Sequence, residues 1–122
     1  MGWVQEGGFA SNFELRPQLF ADYRAFEECV CGALDPHLVA LCRGRVAYLL
    51  GGRDTAIEPA SDCERACVKL ADKFVLDPHG VTDADAAAVA AHLSPAAMVA
   101  LVEALALFDG FTRFRLILGV KD

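Results

Sequence analysis

Apolar residues along this chain recur at the three- and four-residue spacing of a helix, and no run alternates with the period of a strand. Leu19, Phe20, Tyr23, Phe26 and Val30 form a first series that begins near Pro17 and closes at Gly32. Asp35-Pro36 then offers an N-cap followed by proline at the first helical position, and Leu38, Leu41, Val46, Leu49 and Leu50 run on to Gly51-Gly52. Residues 51–60 read as a loop. Ser61 or Asp62 caps a third helix with Cys63, Cys67, Leu70, Ala71 and Phe74 on or near one face. Asp77-Pro78-His79-Gly80 is a turn, and Thr82 with Asp85 has the form of a capping box that opens a fourth helix to about His92.

The longest series runs from Ser94 to Val120. Ser94 is a good N-cap, Pro95 suits the first helical position, and Met98, Val99, Leu101, Val102, Leu105, Leu107, Phe108, Phe111 and Phe114 cover nearly every face. A helix of that length spans roughly 40 Å. Apolar on all sides, it is expected to be buried by its own domain or by a neighbouring subunit. Ala100 with Ala104, and Ala106 with Gly110, supply small residues four apart that let another backbone approach. The pattern therefore predicts an all-α domain of about five helices over residues 14–122, a loose glycine-rich arm over 1–13, and a homo-oligomer built through the last helix. Trp3, Phe9 and Phe13 of the arm are available to dock on a partner.

Composition changes this picture in three ways. The 122 residues are 55% hydrophobic, more than most soluble domains of one core, which again points to surface hidden between subunits. The net charge is −6, and the eight arginines and three lysines are scattered, which argues against a nucleic-acid partner. No basic, apolar leader is visible at the start, and Glu103, Asp109, Arg113 and Arg115 interrupt the long helix, so no membrane span is expected. Five cysteines (29, 31, 42, 63 and 67) are an odd number at spacings unsuited to a disulfide framework, so a reducing cytoplasm is the simplest compartment.

One stretch carries a recognisable pattern: Ala40-Leu41-Cys42-Arg43-Gly44-Arg45-Val46-Ala47-Tyr48-Leu49-Leu50-Gly51-Gly52-Arg53-Asp54-Thr55. It resembles the carboxymuconolactone decarboxylase and alkyl hydroperoxidase D-like family, in which a helix with an Arg-Val-Ala segment runs into a redox loop. The segments Phe74 to Thr82 and Phe108 to Phe114 resemble later helices of the same family, so the likeness spans roughly residues 17–120. It implies a compact helical fold and closed dimers, trimers or hexamers. The family's peroxidases use Cys-x-x-Cys, a His four residues after the second Cys, and a Glu twelve before the first. The matching positions here are Gly52, Thr55, Pro59 and Ala40. Glycine and alanine transfer no protons, threonine cannot form a disulfide or a sulfenic acid, and residues 43–62 contain no cysteine or histidine.

The resemblance thus implies a member that has lost its thiol peroxidase site, with no cofactor. Two functions follow: a non-redox small-molecule-binding or scaffold protein, or a cofactor-free decarboxylase- or isomerase-like enzyme acting on a small organic acid or lactone. Arg45, Gly52, Asp54, Thr55 and Glu58 are the ligand-binding candidates in or beside the degenerate loop. A third route is a thiol peroxidase that uses Cys63 and Cys67, near a helix N-terminus that lowers a thiol pKa. Against it, Cβ atoms at i and i+4 lie about 5–6 Å apart, farther than a disulfide spans, so packing is the expected role of both. The pair also lacks companion ligands for zinc. His37 and His92 are expected at the surface or as caps, and His79 in its turn. Arg45 is expected to pair with Glu27, Glu28 or Asp109, and Asp109 with Arg113.

Overall fold

A computed structural model describes residues 7–52 and 55–120. Among them the chain is entirely helical, without strands. The elements are α1 (Phe9–Phe13), α2 (Pro17–Gly32), α3 (Pro36–Leu49), α4 (Asp62–Leu76), α5 (Asp83–Ala90) and α6 (Pro95–Leu118), with a single 3-10 turn at Pro78–Gly80. The caps anticipated in the sequence make the starts. The Asp35 carboxylate accepts the His37 and Leu38 N–H groups at 2.8 and 3.3 Å. Ser61 accepts from Glu64, Ser94 from Ala97, and Thr82 and Asp85 bond reciprocally. Each bond satisfies a backbone donor that the first turn of a helix leaves open.

α3 is the centre of the packing, in contact with α2, α4 and α6. Its Cys42 and Val46 are fully buried, against Cys67, Val68 and Ala71 of α4, Val89 of α5, and Leu101, Ala104, Leu105 and Phe108 of α6. Burying leucines of this kind contributes roughly 1.5–3 kcal/mol each, which is what holds the helices together. A polar clamp joins α4 to α5. The buried Asp85 carboxylate receives Lys73 at 2.5 Å, Lys69 at 3.4 Å and the Thr82 N–H at 2.9 Å. Lys73 also donates to the Gly80 carbonyl, tying down the turn between them.

The structure departs from expectation at both ends of the chain. Residues 9–13 are not a loose arm. They form α1, whose Phe9 and Phe13 are buried in the chain's own aromatic cluster with Phe20, Tyr23, Phe111 and Phe114. Periodicity could not reveal a five-residue helix, because one turn holds too few apolar positions to repeat. Trp3 lies outside the described residues.

α6 differs too: the chain itself covers only one side of it. Leu101, Ala104, Leu105, Leu107 and Phe108 face inward, while Val99 and Ile117 are about two-thirds exposed, at 66% and 65%. By length and composition alone this helix is apolar enough to cross a membrane. Composition therefore does not deliver the exclusion drawn from its four charges.

Candidate functional site

The C-terminal ends of α3 and α6 finish in the same way, and between them they shape a cleft. At the end of α3, Gly51 adopts a positive φ of 81°, its N–H bonds the Tyr48 carbonyl, and the Gly52 N–H bonds the Ala47 carbonyl. This is a Schellman ending, for which glycine is suited because a side chain resists the left-handed region. At the end of α6, Gly119 at φ 69° and the N–H of Val120 close on Leu116 and Arg115 in the same pattern. The chain turns sharply at both points, and a cleft of about 550 Å³ opens between α2, α3 and α6. That size falls in the range of small-molecule pockets, roughly 300–1,000 Å³.

Tyr23 and Glu27 reach it from α2, Arg43 and Ala47 from α3, and Leu107, Phe108, Phe111, Thr112, Arg115 and Leu116 from α6. Gly51, Gly52 and Val120 complete the rim. The polar groups interlock. The Tyr23 hydroxyl donates to Glu27 Oε2 at 2.7 Å, and Arg43 approaches the same oxygen at 3.4 Å. Burial first, and then the Glu27 carboxylate, push the Tyr23 pKa up to about 12, while Arg115 pulls the other way. Tyr23 thus stays protonated near neutral pH, as a hydrogen-bond donor to Glu27.

The two arginines lie on aromatic rings, Arg43 at 4.5 Å from the Phe108 centroid and Arg115 at 3.9 Å from that of Phe9. Such contacts fix the planes of the guanidinium groups without consuming their in-plane donors.

None of the thiols lines the cleft. Cys42 and Cys67 are buried in the core near Cys63, which is partly buried. Burial pushes Cys42 to about 12, and the charge that Cys63 or Glu64 would carry adds to it. Burial likewise pushes Cys67 to about 12, helped by Cys63 and Cys42. Thiols held protonated in this way are poor nucleophiles. Cys63 instead lines a smaller hollow of about 310 Å³ with Leu38, Leu93 and Ala97. Among the described residues no cluster of His, Cys, Asp and Glu is arranged to hold a metal ion.

Of the loop candidates, only Gly52 lines the cleft. Thr55 and Glu58 are exposed outside it, and Asp54 lies outside the described residues. Arg45 is a correction. Its guanidinium pairs with Asp72 of α4, at 2.6 and 3.0 Å, and not with Glu27, Glu28 or Asp109. The hydrogen bond to Asp72 raises its pKa further.

Arg43 and Arg45 are two residues apart, hence about 200° apart around the helix. One therefore faces the cleft while the other faces α4. That angle was legible in the sequence, and so was the i, i+4 pair Tyr23–Glu27. What brings Arg115 beside them is the crossing of α6 over α2 and α3, which periodicity does not specify. The surface pair Asp109–Arg113 forms as expected, and His37 bonds Glu64 at 2.7 Å between the starts of α3 and α4.

With this geometry in hand, comparison with known proteins adds no relative: no family model, no curated protein and no solved structure matches the chain.

Proposed function

We propose that this chain is a non-redox small-molecule-binding protein, built on a helical frame of the alkyl hydroperoxidase D-like kind and working as a homo-oligomer. The observation that carries the reading is the cleft. Gly52, the position matching the first thiol in the resemblance, lines a sizeable hollow that contains aromatic walls and polar side chains but no cysteine. None of the chain's thiols lines it, and the two innermost are held protonated by burial.

Peroxide reduction should not exceed that of free thiols. A stopped-flow assay with a dithiol reductant is the test, and saturable turnover that depends on Cys67 would overturn the redox half of the proposal. For binding, a set of small organic fragments should shift the amide resonances of Gly51, Gly52 and Thr112 together. A set that shifts none of them argues for a scaffold without a ligand.

Assembly rests on the outer side of α6. Val99, Val102, Ala106, Gly110 and Ile117 are exposed along it at helical spacing, and a Cβ placed on Gly110 would meet nothing within 4 Å beyond its chain neighbours and the backbone of its own helix. The occupant proposed for this face is the same helix of a second copy, where small residues permit close approach. Light scattering at micromolar concentration should report a multiple of 13.1 kDa. A stable monomer would refute the assembly, and partition onto lipid vesicles would reassign the face to a membrane.

A further inference from the structure

The charge inside the cleft runs against the charge of the chain. The protein as a whole carries −6, yet the cleft holds two guanidinium groups and one carboxylate. Glu27 already accepts from Tyr23, and its contact with Arg43 is long at 3.4 Å. Arg115 makes no ion pair among the described residues. Its Nη1 donates to the Phe111 carbonyl at 3.3 Å, and its guanidinium also lies close enough to the Tyr23 hydroxyl to act on it. A guanidinium has five N–H donors in a planar fork. Arg43 commits two of its donors only to long contacts, with Glu27 and with the Cys31 sulfur at 3.8 Å. Two half-spent forks, each stacked on a ring, therefore border a hollow walled by Leu107, Phe108, Phe111 and Leu116.

Part of that positive charge answers the helix ends. The last carbonyls of α3 and α6 reach the same rim, and each helix end carries about half a negative charge. The Schellman bonds occupy two carbonyls at each end, which reduces what the arginines need to offset. What remains is directional: cationic donors that ask for an acceptor with two oxygens, next to apolar surface that asks for a hydrocarbon or aryl body.

We propose that the cleft takes an amphipathic monocarboxylate, its carboxylate received by Arg43 and Arg115 and its apolar body lying along Leu107, Phe111 and Leu116. This rests on the small-molecule reading above and narrows it to one chemical class. Tyr23, kept protonated and turned to Glu27, contributes no competing negative charge near neutral pH. A charge-assisted fork contributes specificity because a neutral amide offers one uncharged acceptor oxygen where a carboxylate offers two that share a negative charge, whereas the apolar wall does not distinguish an acid from its amide.

The test is titration calorimetry of the full chain near neutral pH with 2-naphthoate and octanoate, each against its neutral amide. Each acid should bind at least about 10-fold more tightly than its amide, as one lost charge-assisted hydrogen bond implies. Arg115→Gln and Arg43→Gln should each erase most of that preference, the affinity for the acid falling much further than that for the amide. Arg115→Lys keeps the charge, loses the fork and should fall between. Leu116 lies half-exposed at the rim, so Leu116→Trp should block acid and amide alike with helix content unchanged. Equal binding of acid and amide would overturn the carboxylate assignment and leave the small-molecule reading standing. Absence of binding by all four probes at millimolar concentration would overturn both.

Discussion

The two halves of α6 serve opposite purposes. Its first half lays Leu101, Ala104 and Leu105 on the dry cluster around Cys42, Cys67 and Val89, where every one of these residues is nearly or completely shielded. Its second half carries Phe111, Thr112 and Arg115, all only partly buried, into an aromatic and arginine-lined cleft. One helix thus joins a core whose titratable groups are silenced to a hollow whose charged groups stay accessible. Cys42 and Cys67, of the residue type that first suggests chemistry, belong to the silent half. The groups with donors to spare belong to the other.

The largest break in that contrast should come from α1. Phe13 stacks on Phe111 and Phe114 at centroid distances of 5.6 and 5.2 Å and is buried. Phe13→Ala should cost about 3 kcal/mol in denaturant unfolding, since it leaves a ring-sized void beside a helix too short to stand alone. Hydrogen exchange should rise in α1 and the last turns of α6 and stay low around Cys42 and Cys67. Equal loosening at both ends would mean that the halves are a single cooperative unit.

Acid should act on the clamp between α4 and α5. The Lys73 side chain, and then the Thr82 N–H, hold the Asp85 carboxyl well below the usual carboxylate range, with Lys69 adding to the effect. Because the folded state binds this proton less readily than the unfolded chain, the clamp stabilises fully above the ordinary aspartate pKa, about 4. That contribution drains as pH falls toward the lower folded value. Thermal melts across acid pH should therefore decline, and Asp85→Asn should lower stability at neutral pH while flattening the decline. A variant that keeps the wild-type slope would remove Asp85 as its source.

The sequence was most informative where one residue decides a local geometry. Asp35, Ser61, Thr82 and Ser94 sit where the helices start because a side-chain acceptor there answers open backbone donors within a few residues. Gly51 and Gly119 end helices for an equally local reason. The cleft was another matter. Its arginines lie 72 positions apart, at 43 and 115, and nothing local relates them. Arg45 drew attention because it stands in the Arg-Val-Ala segment, yet the turn of the helix delivers it to Asp72. Side-chain partners across helices depend on crossing angles and on which face each helix turns inward, and a single sequence leaves both open.

A smaller effect is expected from the thiols themselves. If Cys63 and Cys67 merely pack, Cys63→Ser combined with Cys67→Ala should change stability by about 1 kcal/mol and leave ligand binding intact. Alkylation of the native protein should modify exposed Cys29 first, partly buried Cys63 later, and Cys42 and Cys67 only on the timescale of opening. Rapid labelling of Cys67 at mildly acidic pH would instead mark a thiolate, and the silent half would have to be reconsidered.

The smallest change is the most discriminating for assembly. Gly110 lies on the outer side of α6, where an added methyl would meet nothing within 4 Å beyond its chain neighbours and the backbone of its own helix. In the free subunit, Gly110→Ala should therefore stabilise by about 0.5–1 kcal/mol, because alanine loses less backbone freedom on entering a helix. A second helix crossing closely at Ala106 and Gly110 reverses the sign for association, since the same methyl holds the two backbones apart. The proposed oligomer thus predicts a split result: a higher melting temperature for the dilute subunit, and weaker self-association by sedimentation at higher concentration. If both quantities rise together, the small residues are not the point of closest approach. The contact would then have to be sought at Val99 or Ile117, near the ends of the same face.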